Sequence, residues 1–112
     1  MRDPLERLRD ILEAIQHIQR HTAAGRQAFE QDELVQSWCV RHLQIIGEAA
    51  RALPEETRDC ILDVPWSKII GMRHVLVHNY FGIDTELVWN VVETQLSTLK
   101  TAIEAFLERH PE

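Results

Sequence analysis

The chain has 112 residues, 45% of them hydrophobic and 27% charged, with four glycines and four prolines. This composition suits one domain spanning residues 1–112 around a single core, and long irregular stretches are not expected. A net charge of −6 excludes a general coat for nucleic acid, which calls for a basic domain.

The N-terminus reads Met1-Arg2-Asp3-Pro4-Leu5-Glu6-Arg7 and has no apolar stretch of the secretory kind. No run approaches the ~18 apolar residues of a membrane span, so a cytoplasmic protein without a membrane partner is expected. Cys39 and Cys60 lie far apart in no metal spacing and read as reduced, small apolar fillers.

The first predicted helix opens at Asp3 as N-cap with Pro4 in its first turn. Leu5, Leu8, Ile11, Leu12, Ile15 and Ile18 form its apolar stripe, and it should fray between Thr22 and Gly25. Asp32 caps a second helix running to about Leu53. Its apolar positions, among them Leu34, Val35, Trp38, Leu43, Ile45, Ile46, Ala49 and Ala50, cover more than one face, so it should touch several neighbours. Gly47 inside it costs roughly 1 kcal/mol relative to alanine, which suggests the close approach of another helix.

Pro54 ends that helix, and residues 55–62 read as a short helical turn. Asp63 and Pro65 restart the chain as N-cap and early-helix residues, giving a third helix over residues 66–79. After a turn at Phe81-Gly82-Ile83, Asp84 caps a long fourth helix to about Arg109, with a stripe of Leu87, Val88, Val91, Leu99, Ile103 and Phe106. No strand pattern is evident. The expected architecture is all-α, an up-and-down bundle of four main helices plus a short helical turn.

The third helix is the unusual one. Ile69-Ile70-Gly71-Met72 and Val75-Leu76-Val77 make it apolar nearly all round, which points to burial in the bundle or at a subunit interface. Arg73, His74 and His78 are set into it, and Asn79 and Tyr80 follow at once. Burying such groups without partners is costly, so they line a cleft or belong to a structural network. Between Val64 and Ile83 there is no carboxylate, as in a local anion site.

On one ideal helix, Arg73 and His78 differ by about 140° around the axis and about 7.5 Å along it. Meeting at one phosphate then needs arginine's reach, a loosened last turn or a second copy. A two-fold dimer with these helices near its axis supplies that copy. RNA carries its own nucleophile, the 2′-hydroxyl. A histidine titrating near neutrality could therefore move the protons while an arginine takes the phosphate charge. His74 and His78, at i and i+4, are also spaced as two metal ligands would be. No third ligand accompanies them, so no metal or other cofactor is expected.

The run Arg73-His74-Val75-Leu76-Val77-His78-Asn79-Tyr80 resembles the signature of HEPN ribonucleases, an Arg and a His separated by four to six residues with a polar residue just after the Arg. Tyr80, the continuing Phe81-Gly82-Ile83-Asp84, the segment Leu43-Gln44-Ile45-Ile46-Gly47-Glu48-Ala49-Ala50 and the approach Val64-Pro65-Trp66-Ser67-Lys68-Ile69-Ile70-Gly71-Met72 are similar to the HepT subgroup. The resemblance implies a homodimeric, metal-independent endoribonuclease toxin of a type VII-like toxin–antitoxin pair. It would cut RNA to 2′,3′-cyclic phosphate and 5′-hydroxyl ends.

Arg73 and His78 would be catalytic, with His74 and Asn79 supporting. A nucleotidyltransferase antitoxin of the MntA type would adenylylate Tyr80 and so place an anion beside Arg73. The alternative is a non-catalytic helical dimer that binds such a nucleotidyltransferase or a nucleotide. Glu48 either orients Arg73 or faces solvent. Trp38, Trp66 and Trp89 are expected in the core or an interface rather than as platforms for bases.

Overall fold

Asp3 begins the first helix with a reciprocal cap. Its carboxylate accepts from Leu5 N at 2.8 Å, and its own backbone N–H donates to Glu6 at 3.1 Å. The computed structural model describes residues 3–75, 77–78 and 82–110, apart from the side chains of 73–75, 77 and 78. Helix α1, Pro4–Thr22, buries Leu8, Ile11, Ile15 and Ile18, with Leu5 and Leu12 packed at the margin of the core. The expected stripe is the stripe observed. Thr22 Oγ1 donates to Ile18 O at 2.9 Å, and Gly25, at φ 99°, turns the chain through a conformation that an L-side chain resists.

A helix not foreseen in the sequence follows. Helix α2, Arg26–Glu30, is too short to show periodicity and is held from outside itself. Its Phe29 is buried and its ring lies 5.3 Å from that of Trp89. The buried Gln36 amide donates to Phe29 O at 2.9 Å and to Glu30 O at 3.2 Å, taking carbonyls that a helix C-terminus leaves open.

Gln36 belongs to α3, Glu33–Ala52, the central helix. Asp32 caps it as expected, accepting from Leu34 N and Val35 N. Helices α1 and α2 pack on α3, and Leu43, Ile46, Gly47, Ala49 and Ala50 are buried along it. Leu34 departs from expectation. It lies in the first turn and is 84% exposed.

Helix α4, Glu55–Cys60, is the expected short turn after Pro54. The Trp66 indole N–H donates to Arg58 O at 3.1 Å and Ile61 O at 3.2 Å, so α4 is tied to the helix that follows. That helix, α5, Trp66–Val75, is not capped by Asp63. Asp63 has φ 71° and belongs to the turn, and the helical bonds begin at Pro65 O, which accepts from Ile69 N at 3.0 Å. Proline keeps the residue before it out of the helical region, so the helix starts after Pro65. Within the described part of α5, Ile69 and Met72 are buried, Ile70 and Gly71 are half-buried, and Ser67 and Lys68 are exposed.

Helix α5 packs on α3 and stops at Val75, short of the expected residue 79. Strand β1, Val77–His78, and strand β2, Gly82–Ile83, then pair antiparallel, Val77 opposite Ile83 and His78 opposite Gly82. Val77 and Ile83, both β-branched, favour extended backbone, and Gly82 at φ 98° permits the return. This small ladder is an addition to an otherwise all-α architecture.

Asp84 caps α6, Thr85–Thr94, by accepting from Leu87 N at 3.0 Å. The long final helix expected from the stripe is divided. Gln95, at φ −114° and ψ −30°, separates α6 from α7, Leu96–Arg109. Thr94 Oγ1 donates back to Asn90 O at 2.7 Å, a bond that bends helices. The apolar stripe continues across the break through Val88, Val91, Leu99, Ile103 and Phe106, all buried.

Gln36→Leu should lower stability by about 1–3 kcal/mol, because two acceptors at the end of α2 lose their donor in a buried setting. Urea denaturation would show it as an earlier midpoint. Arg26→Ala, which removes only the exposed pair with Glu30, should leave the midpoint unchanged.

Candidate functional site

The cationic stretch singled out in the sequence is divided between two elements. Arg73 and His74 lie near the end of α5, and His78 lies on β1 with its backbone opposite Gly82. The wheel offset reckoned on one continuous helix therefore does not apply to Arg73 and His78. For the same reason His74 and His78 do not share a helical face, on which their pairing as metal ligands depended. Asn79 and Tyr80 lie outside the described residues, as do the side chains of Arg73, His74 and His78.

Helix α3, on which α5 packs, also forms one wall of a cleft of about 900 Å³ against α1. Arg7 and Arg41 line it together with Asp10, Glu13 and Glu48. Glu48 is exposed there, while Ile46, Gly47, Ala49 and Ala50 around it are buried. Helical spacing has placed this one carboxylate of an apolar run on the cleft wall.

At one end of the cleft stands a ring cluster that the sequence reading missed. His17 stacks on His42 with centroids 4.8 Å apart, and Trp38 lies 4.4 Å from His42, 5.6 Å from His17 and 5.3 Å from His21. The His21 ring Nδ1 donates to His17 O at 3.0 Å, and the Trp38 indole N–H reaches the same carbonyl at 3.4 Å. His42 is 9% exposed, and neither of its ring nitrogens has a hydrogen-bond partner. His17 Nδ1 is likewise buried and unpartnered.

The signal was present as two i,i+4 pairs, His17 with His21 and Trp38 with His42. Nothing in either pair says that the two helices bring them together. Among the described residues no three His, Cys, Asp or Glu side chains converge as a metal ion would require.

Burial is the main cause holding the His42 imidazolium below its usual range; His17, Arg41 and His21 add to it, and Glu13 opposes them. Elsewhere in the chain, Trp89 is buried, Trp66 is half-buried and Trp38 keeps 37% of its surface exposed. The Cys39 thiol is pushed up to about 11 by burial, which suits an inert filler. Cys60 is exposed, and both thiols are free. Among the described residues no helix is long and apolar enough to cross a membrane.

Residues 11–106 match the family model described as "Ribonuclease HepT-like". The chain belongs to the HepT-like ribonuclease family. The match spans both the α3 segment and the run from Arg73 to Tyr80. Similar relatives include "Putative RNase MJ1380" of Methanocaldococcus jannaschii, 34% identical over 91% of this chain and 88% of that protein. "Putative RNase TTE0752" of Caldanaerobacter subterraneus is 33% identical over 97% of this chain and 98% of its own length. "Probable ribonuclease HepT" of Thermococcus cleftensis is 35% identical over 87% and 89%. No solved structure matches.

A pH dependence of stability follows from the ring cluster. The imidazole of His42 is harder to protonate folded than unfolded, so the unfolded chain binds the proton first and stability falls as pH drops below about 6.5. Above that value both states are neutral and the contribution vanishes. Urea midpoints measured from pH 8 to pH 5 should decline at the acid end, and His42→Leu should flatten the decline. An unchanged acid slope in that variant would assign the effect to other groups.

Proposed function

We propose that the protein is a metal-independent endoribonuclease that acts as a homodimer and is the toxin of a toxin–antitoxin pair. The observation that carries this reading is the run Arg73-His74-Val75-Leu76-Val77-His78-Asn79-Tyr80 within the family-matched region. It is supported by relatives named as ribonucleases over nearly their full length.

In the proposed reaction the 2′-oxygen of RNA attacks the adjacent phosphorus and loses its proton to a base, while the departing 5′-oxygen receives a proton. The products are a 2′,3′-cyclic phosphate and a 5′-hydroxyl. His78 carries an imidazole, the side chain suited to give and take a proton in this exchange. Arg73 remains charged and presents a fork that suits two phosphate oxygens. His74 adjoins Arg73 and Asn79 adjoins His78, and both are assigned supporting roles.

A two-fold dimer would bring a second copy of the motif to the same strand. The net charge of −6 favours the rival reading, a module that only binds a nucleotidyltransferase. Loss of cleavage on changing His78 separates the two.

Cleavage of RNA should persist in EDTA and leave cyclic ends. Arg73→Ala and His78→Ala should each lower the rate by about 10²-fold or more with circular dichroism unchanged, and His74→Ala should cost less. Activity lost on chelation and restored by zinc or magnesium would remove the metal-free mechanism, and wild-type cutting by His78→Ala would remove the role given to His78.

The partner would be a nucleotidyltransferase of the MntA type that adenylylates Tyr80. Adenylation would replace the phenol hydroxyl with a bulky anion in the motif that carries Arg73. Intact mass spectra of protein co-expressed with such an enzyme should show adenylate-sized additions that are absent in Tyr80→Phe. Additions that persist in the variant would place the acceptor elsewhere.

A further inference from the structure

We propose that the histidine end of the α1–α3 cleft is a nucleobase subsite that seats one unpaired base of an RNA strand. The identity of the strand rests on the ribonuclease reading; the subsite itself rests on His42. This side chain lines the cleft, is 9% exposed and leaves both ring nitrogens without a hydrogen-bond partner. A neutral imidazole offers one N–H donor and one lone-pair acceptor, and leaving both unused in a buried position is costly. The edge of a nucleobase presents acceptors and donors side by side and meets that need.

The surrounding rings supply the other half of base recognition. Unpaired bases are held by stacking on aromatic and histidine side chains, and here the Trp38 indole and the His17 imidazole pack on His42, with His21 against Trp38. Trp38 sets itself apart from Trp66 and Trp89 by its 37% exposure. It is the ring nearest His42, and its indole is held by a single long hydrogen bond of 3.4 Å to His17 O. The part of Trp38 left exposed beside His42 is the stacking face offered to the base.

Arg41 adjoins His42 in sequence and lines the same cleft, where its guanidinium suits the phosphate attached to the seated base. Away from this end three carboxylates outnumber Arg7 in the lining. Glu13 stands one helical turn from His17, Asp10 about 10 Å from His17 along α1, and Glu48 about 9 Å from His42 along α3. These carboxylates oppose a long run of phosphates, so the cleft suits one base with its neighbouring phosphate rather than a strand laid along its length. The volume, about 900 Å³, lies in the range of small-ligand sites.

The test uses the full chain and fluorescein-labelled 2′-O-methyl RNA hexamers, which lack the nucleophile and cannot be cut. Anisotropy should show saturable binding to the wild-type protein. Trp38→Ala and His42→Leu should each weaken it by at least about fivefold, and Trp38→Phe, which keeps a stacking ring, should stay within about twofold of wild type. If Trp38→Ala fails to fold, His42→Leu and Trp38→Phe carry the comparison. Wild-type affinity in folded Trp38→Ala and His42→Leu overturns the subsite whether or not the protein cuts RNA, as does a wild-type protein that binds no hexamer. Variants that shift the monomer–dimer balance without changing hexamer affinity overturn it too, and assign the cleft to a second copy of the chain. Hexamer binding that weakens in the variants, alongside a wild-type protein that cuts no RNA, keeps the subsite and removes the catalytic reading.

Discussion

The seam between α1 and α3 organises the rest of the molecule. Leu8, Ile11, Ile15 and Ile18 on one side and Leu43, Ile46 and Ala50 on the other are buried, and burial of apolar surface of this kind is the main favourable term in folding. Helix α3 also receives α5, and its N-terminal turns receive α2 through Gln36. Because α3 serves several neighbours, its apolar residues leave few positions for polar groups. Among its polar residues, Arg41, His42, Gln44 and Glu48 fall along the cleft. The packing that stabilises the fold thus also decides where charged chemistry is presented.

Two groups of residues stand out around this central helix. The run that carries the family signature begins on α5 and crosses into a two-residue ladder, so its arginine and its second histidine belong to different backbone elements. A helix that continued to residue 79 would have fixed these groups at helical spacing. Ending at Val75 frees them from it. At one end of the α1–α3 cleft, which His17 and His42 line, three histidines and a tryptophan form ring contacts of 4.4–5.6 Å, and His42 is buried there without hydrogen bonds. Native proteins pair the great majority of their buried polar atoms, which makes this end of the cleft the most chemically unfinished part of the described structure.

Much of the architecture was legible from local rules. Asp3, Asp32 and Asp84 cap helices because a short carboxylate satisfies open N–H groups at a helix start, and this depends only on a few neighbouring residues. The stripes of α1 and of the α6–α7 pair follow from the helical period. Pro54 stops α3 for steric reasons that are equally local. The run from Arg73 to Tyr80 was recognisable as a string of residues, and its match to the family is a property of the sequence.

What failed were expectations whose outcome depended on distant partners. Helix α2 exists because Phe29 finds Trp89 and Gln36 finds two carbonyls. Asp63 looked like a cap but occupies a positive-φ turn before the proline that delays α5. The expected end of α5 was wrong because pairing of Val77 and His78 with Gly82 and Ile83 competes with helix, and that competition is settled across the turn rather than along it. The ring cluster was invisible because His17 and His42 are 25 positions apart. By itself the sequence determined the starts of α1, α3 and α6, the apolar stripes and the family. The caps and stripes are encoded by residues within a turn or two of one another, and the family by the string of residues itself. Only the tertiary structure decided where α5 gives way to strand and which histidines meet, since those outcomes depend on contacts between segments that the chain order does not place together.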